Sequence, residues 1–199
     1  MPRVSDEHLE ARRRQILDAA RRRFAANGFH QTSMQDVLAE SGLSAGAVYR
    51  YFAGKEDIIG AIAEEAVGAL RASFASDDDH LTIAEIVARA LAAVDARAAE
   101  DDVGRLALQV WAEAARSETL RRRLAKAVRQ ARAALRDRIA RQYGPDVDAE
   151  ALAVVVVALL PGYLHAKVIV GDVDAEGYLR GVDALGEVMR RDSRAAPAR

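Results

Sequence analysis

The chain has 199 residues, enough to bury a sizeable core, and 51% of them are hydrophobic. It contains no cysteine, which excludes a disulfide framework, a thiolate zinc site and a cysteine nucleophile. Its formal net charge is −1, so bulk electrostatics do not announce a nucleic-acid binder.

The distribution of charge says more than its sum. Residues 1–55 carry nine Arg and Lys against six Asp and Glu, an excess of +3 that leaves −4 for the remainder. A weakly basic head on a weakly acidic body suits an N-terminal domain that faces phosphate. Four prolines and abundant Ala, Arg, Glu and Leu favour an all-α chain of about nine helices. Pro2 to Gln15 has no apolar core of the kind a signal peptide needs. No apolar stretch is expected to reach the roughly 18–20 residues of a membrane span. A cytoplasmic location is the expectation.

Residues 1–9 read as a flexible charged arm. A first helix from about Glu10 to Asn27 carries Ile16, Leu17, Ala20 and Phe24 on one face and stops at Gly28. Among its arginines, Arg12 and Arg13 near the start are the better candidates to touch a DNA backbone. The stretch 33–52, SMQDVLAESGLSAGAVYRYF, then reads as two short helices joined by a tight turn. Ser33 and Asp36 fit a capping box. Gly42 can take the left-handed conformation that ends a helix, Leu43 plugs the turn, and Ser44 caps a second helix running to about Phe52. This is the pattern of a helix-turn-helix.

Val48 and Phe52, four apart, share the buried face of that second helix. Ser44, Ala45, Ala47, Arg50 and Tyr51 stay mostly outside, with Gly46 and Tyr49 near the boundary. The small first turn lets the backbone come close to another surface, and the hydroxyls and guanidinium beyond it suit phosphates and base edges.

The run Thr32-Ser33, Gly42-Leu43-Ser44, Gly46, Val48-Tyr49, Tyr51-Phe52, Lys55-Glu56, preceded by Phe24-Ala25 and Gly28-Phe29, resembles the DNA-binding domain of the TetR (tetracycline repressor) family. The match covers roughly residues 10–62. The resemblance implies a DNA-contacting set of Thr32, Ser33, Ser44, Ala45, Gly46, Ala47, Tyr49, Arg50, Tyr51 and Lys55, with Lys55 at a phosphate. Family members commonly carry Lys where this chain has Ala45, so operator sequence does not carry over.

A fourth helix opens at Gly54-Lys55 and keeps Ile58, Ile59, Ile62, Ala66, Leu70 and Phe74 at helical spacing, which makes it the expected mechanical link. The polar run Ser76-Asp77-Asp78-Asp79-His80 marks a break, and no other ligand converges on it to make a metal site. Thr82 and Glu85 repeat the capping-box pattern before a fifth helix. A sixth carries Leu106, Val110 and Trp111, and Ser117 to Gln142 forms a long seventh with Leu124, Val128, Leu135 and Ile139 buried. Residues 151–160, ALAVVVVALL, are apolar on every side and read as a buried eighth helix that Pro161 kinks or breaks. Asp174 caps a ninth with Tyr178, Val182, Leu185 and Val188 on one face.

A helix apolar all round needs cover on all sides. One chain of this size cannot supply that for the eighth helix, so helices eight and nine are expected to pair with their copies in a homodimer, with Gly162, Gly177, Gly181 and Gly186 permitting close approach. The family pairs its last two helices in this way. Trp111, Glu113, Tyr163 and His165, polar or aromatic groups on apolar helices, are the candidate small-molecule ligand-binding residues. The resemblance places that pocket among helices four to eight.

The organisation expected is therefore an arm at 1–9, a helix-turn-helix DNA-binding domain at 10–55, a ligand-binding and dimerisation domain at 56–191 and a disordered tail at 192–199. The function expected is a homodimeric transcriptional regulator, a repressor released from a palindromic double-stranded operator by a small-molecule inducer, with no cofactor and no metal. Activation is the alternative sign. A sequence-non-specific DNA binder would be more basic. An enzyme would need a motif this chain lacks: His8, His30, His80 and His165 are scattered, and no nucleophile elbow or phosphate loop is present.

Overall fold

Glycines and capping side chains set where the helices stop. A computed structural model describes residues 6–75, 81–101 and 103–195. Among these the order is α1 (Asp6–Asn27), α2 (Met34–Ser41), α3 (Ala45–Tyr49), α4 (Lys55–Phe74), α5 (Ile83–Asp101), α6 (Val103–Arg116), α7 (Glu118–Tyr143), α8 (Ala149–His165), a π-helical segment (Ala166–Val170) and α9 (Ala175–Ala195). The architecture is all-α, as composition implied. Gly28 (φ 80°) and Gly42 (φ 66°) end α1 and α2 in the left-handed region, where a side chain would be strained. Ser117 and Asp148 cap α7 and α8 by accepting the backbone N–H of Leu120 and Ala151.

Several boundaries differ from expectation. Helix α1 starts at Asp6, so part of the expected arm is helical; Asp6 and Glu7 in its first turn complement the helix dipole. Helix α9 continues to Ala195, into the expected tail. Pro161 neither ends nor splits α8, which runs through it to His165; the irregularity comes five residues later as the π segment. The run 76–80 lies outside the described residues.

The expectation on membrane-length segments is overturned. Ala149–Val170 form 22 helical residues of mean hydropathy 2.0, long and apolar enough by length and composition to cross a membrane. Because α8 survives Pro161, the apolar run 151–160 joins the following segment into one continuous rod. Only 22% of that window is buried within the chain.

Two clusters of buried side chains organise the helices. The first gathers Ile16, Leu17, Ala20 and Phe24 of α1, Phe29, Val37 of α2, Val48 of α3, Phe52 and Ile58, Ile59 and Ile62 of α4. It also takes Leu106, Val110 and Ala114 of α6 and Leu120 of α7, so α6 helps close the core beneath the helix-turn-helix. The second joins Phe74 of α4 to Ile86, Val87 and Leu91 of α5, Leu135 and Ile139 of α7, and Val156 and Tyr163 of α8. Helix α4 thus begins in one cluster and ends in the other. Each such Ile or Leu adds about 1.5–3 kcal/mol when fully buried.

Along α4 the partner is α7. Arg123 of α7 lies flat across Gly60, where a Cβ would fall 2.7 Å from its Nη1. From there it donates two hydrogen bonds to Glu64, both 2.9 Å, and one to Asp57 at 3.4 Å. The Arg123 hydrogen bonds hold the Glu64 carboxyl below its ordinary range. A carboxyl depressed by folding contributes stability above its ordinary value and loses it as pH falls. Melting of the wild type should therefore fall on acidification through about 4.5, the ordinary Glu value. Arg123→Ala should start less stable by about 1 kcal/mol or less, since the pair is partly solvated. Its melting should also fall less steeply over the same interval. Parallel melting curves against pH would show that Glu64 is not held this way.

Candidate nucleic-acid interface

Five residues are too few for a helix to be stable alone, so α3 is held by what it buries. Val48 is fully buried and Phe52, just beyond the helix, is 5% exposed. Leu43 packs against the same core from the turn. Ser44 caps the start, its Oγ accepting the Ala47 N–H at 3.3 Å. This anchoring leaves Ser44, Ala45, Gly46, Tyr49 and Arg50 exposed, with Ala47 half-buried. Tyr49 is 50% exposed, well outside rather than at the boundary. Tyr51 goes the other way and packs against the core.

Helix α2 is set by the capping box that Ser33 and Asp36 were expected to form. The Ser33 N–H donates to Asp36 Oδ2 at 2.7 Å and the Asp36 N–H to Ser33 Oγ at 3.1 Å. The Ser33 hydroxyl also donates to Asp36 Oδ2, at 2.6 Å, and this bond and that from the Ser33 N–H hold the Asp36 carboxyl below its ordinary range. Ser33 is exposed beside this helix start.

Two expected contacts are turned inward. Thr32 is 1% exposed, and its hydroxyl is near the Gly28 carbonyl at 2.8 Å and the Arg23 carbonyl at 3.1 Å. It ties the end of α1 to the start of α2 and is not a surface contact. Lys55 donates from Nζ to the Phe29 carbonyl at 2.9 Å and sits 4.7 Å from the centre of the Phe29 ring. To reach a phosphate it would have to leave both. Arg13 pairs with Glu65 of α4 and lies 5.8 Å from the Phe52 ring. Arg21 reaches the other oxygen of Glu65 at 2.5 Å. The arginines of α1 thus serve the α1–α4 seam as well as the surface. Arg12 bonds to Gln15 and remains on the exposed side.

The four expected ligand-binding residues lie in different surroundings. Trp111 packs against the first core cluster. Glu113 is 9% exposed, and its Oε1 lies 2.7 Å from His30 Nε2 and 3.2 Å from Arg116 Nη2. Tyr163 is fully buried in the second cluster beside Tyr178, ring centres 5.3 Å apart. His165 is exposed on the side of α8 away from that cluster. Burial pushes the Tyr178 hydroxyl up, and that hydroxyl donates to the Leu159 carbonyl. Gly162 serves this contact inside the chain, because a Cβ there would meet the Tyr178 oxygen at 2.8 Å. A narrow void of about 10 Å³ lies instead between α4, α5 and α8, lined by Leu70, Phe74, Val87, Ala90, Val156, Val157 and Leu160.

Sequence reasoning missed Gln109, Arg116 and His30. Gln109 accepts the Phe29 N–H at 2.8 Å and donates to the Phe24 carbonyl at 3.4 Å. The signal available was three polar residues, 109, 113 and 116, at helical spacing on α6. Their partners lie too far away in sequence to be paired by pattern.

Comparison with known proteins agrees with this geometry. The family model described as "Bacterial regulatory proteins, tetR family" matches residues 16–62, from the core of α1 to the first turns of α4. Over residues 16–62 the chain matches the DNA-binding domain of the TetR family. Over 65 residues it is 45% identical to the HTH-type transcriptional repressor Rv1474c of Mycobacterium tuberculosis, covering 33% of this chain and 35% of that protein. Over 54 residues it is 39% identical to the fatty acid metabolism regulator protein of Bacillus subtilis, 27% of this chain and 28% of that one. These matches span about a third of each curated relative's length. The fold likeness is wider: Salmonella enterica GusR superposes with a TM-score of 0.71 at 26% identity, over 92% of this chain and 98% of its own. FadR of Bacillus subtilis, solved with stearoyl-CoA, gives 0.66 at 19% identity over 84% and 95%.

If Thr32 ties and does not touch, Thr32→Val should lower stability by about 1–3 kcal/mol, the cost of losing the hydrogen bond of this buried hydroxyl. DNA affinity of the folded fraction should stay unchanged. A folded Thr32→Val protein that has lost affinity would return Thr32 to the contact surface.

Proposed function

We propose that this chain is a homodimeric transcriptional regulator that binds a palindromic DNA operator and is released by a small apolar ligand. The observation that carries the reading is α3: one turn of helix, anchored by Val48 and Phe52, offering Ala45, Gly46, Tyr49 and Arg50 outward. Methyl groups, a phenol and a guanidinium are groups that major-groove base edges and phosphates accept. Ser33, at the start of α2, lies where helix N–H groups attract a phosphate. Repression is the sign favoured, because relatives such as Rv1474c are named repressors. Such a protein works where the DNA is, in the cytoplasm.

Dimerisation is supported by what α8 and α9 leave uncovered. Val154, Val155, Ile169 and Val170 along α8 and the π segment, and Leu185 and Val188 on α9, are 45–63% exposed. An aliphatic strip of that kind asks for a second surface, and a copy of itself gives two-fold symmetry. Two heads on a two-fold axis read half-sites about 34–36 Å apart. The same strip accounts for the membrane-like hydropathy of Ala149–Val170 without a bilayer.

The void between α4, α5 and α8 has room for about one water and would have to open to admit a ligand, which would then meet its lining. Its lining is wholly aliphatic and aromatic. A polar group entering it would lose its hydrogen bonds to water and regain none. Structures of related fold were solved with stearoyl-CoA, whose acyl chain alone is apolar, and with triclosan. By wedging between Phe74 and α8, a hydrocarbon would shift the far end of α4, and it acts only if it binds the shifted state better.

Three measurements test the reading. Purified protein should prefer the DNA flanking its own gene over random DNA of equal length by about 10³-fold or more. Tyr49→Ala and Arg50→Ala should each weaken that binding by about 1–3 kcal/mol and leave melting unchanged. Val155→Asp with Leu185→Asp should give a folded monomer on sedimentation, with operator affinity lost. A dimer that persists in the double variant would place the interface elsewhere.

A further inference from the structure

The grip of α6 on the end of α1 is unaccounted for by DNA contact, dimerisation or the apolar void. Gln109, Glu113 and Arg116 face one short stretch, residues 24–30, at the end of α1 and the start of the loop into α2. Gln109 holds backbone at both ends of that stretch, the Phe24 carbonyl and the Phe29 N–H. Glu113, nearly buried, has one oxygen shared by His30 and Arg116. The His30 Nε2 is in turn 2.8 Å from Arg116 Nη2. A protonated Nε2 donates to Glu113 and an unprotonated one accepts from Arg116, so the trio closes with either tautomer. Beside it, Lys55 of α4 takes the Phe29 carbonyl. The Phe29 backbone is thus held on both sides, its N–H by α6 and its carbonyl by α4.

None of these contacts involves a residue of α3. They fix orientation in two directions, because α4 and α6 bond to the two successive peptides that flank Phe29. From this juxtaposition we propose that Glu113, with Gln109 and His30, is a positioning element for DNA recognition: it fixes the angle of each head on its body and so sets the operator half-site spacing the dimer accepts. The proposal rests on the dimeric operator reading above. A buried carboxylate suits this role, because once either partner is lost it must keep the other or open to water. The opposite end of α6 supplies the second anchor. Gly104 sits so close against Val168 of the π segment that a Cβ would fall 2.6 Å from its Cγ2. Helix α6 therefore runs from the π segment, beside the exposed apolar strip, to the loop that carries the head.

The test separates angle from contact. Duplexes selected from a random pool by the wild-type protein give the palindrome, from which a single half-site and a series with one base pair added or removed between half-sites are made. Glu113→Ala should bind the single half-site as the wild type does. It should lose about fivefold or more on the palindrome, the scale of a coupling between sites. It should also discriminate less among the altered spacings. His30→Ala, which removes an exposed ring and spares the core, should do the same, and the double variant should add nothing further. Glu113→Gln, which still accepts from Arg116, should restore the wild-type spacing preference. Unchanged spacing preference in folded His30→Ala and Glu113→Ala overturns the proposal, as does equal loss on half-site and palindrome. A wild-type protein that selects a single half-site and no palindrome overturns the dimeric reading and this proposal with it, whereas normal selection with unchanged spacing overturns the proposal alone.

Discussion

Helix α4 has to satisfy two hydrophobic cores at once, and most of the architecture answers to that requirement. Ile58, Ile59 and Ile62 are committed to the cluster under the helix-turn-helix and Phe74 to the cluster in the body. Neither end can rotate about the helix axis without dragging buried side chains at the other, since packed interiors deform little. The Arg123 guanidinium laid on Gly60 pins the helix near its start against α7. A rod fixed in this manner transmits displacement along its length, as the proposed response to a ligand requires.

Helix α6 modifies the division of the chain into a head and a body. Its apolar face, Leu106, Val110 and Ala114, belongs to the head's core, while Gly104 abuts the π segment that follows α8. The head's core is therefore completed by residues far along the chain, and a boundary drawn at 55 separates parts that share one interior. The helix-turn-helix itself is local. Gly42, the capping Ser33–Asp36 pair and the Ser44 cap all act within a few residues of one another.

That contrast explains what the sequence made legible. Caps, left-handed glycines and apolar spacing are encoded next to where they act, so α2, the turn and the outward face of α3 could be read residue by residue. Tyr49 and Tyr51 exchanged roles because α3 stops after five residues and the chain turns at Arg50, which ends the helical phase used to place them. Thr32 looked like a surface hydroxyl because its partners are carbonyls, which every sequence supplies and none advertises. Glu113 reads as a pocket residue for the converse reason: the apolar residues around it announce burial, but its partner His30 lies in another part of the chain. Pro161 failed to break α8 because tertiary packing on both sides of it, at Val156 and at Tyr163 and Leu164, holds the helix through the missing N–H.

The strip left open by α8 and α9 also bears on fidelity between relatives. Its exposed members, Val154, Val155, Ile169, Val170, Leu185 and Val188, are all aliphatic. Aliphatic surface attracts without choosing, so in the proposed dimer self-recognition would have to come from shape and from charges, such as the Glu176–Arg180 pair on α9. Where shape and charge fail to exclude a related subunit, the product would be a mixed pair carrying two unlike heads. Such a pair would read an asymmetric site that neither parent recognises.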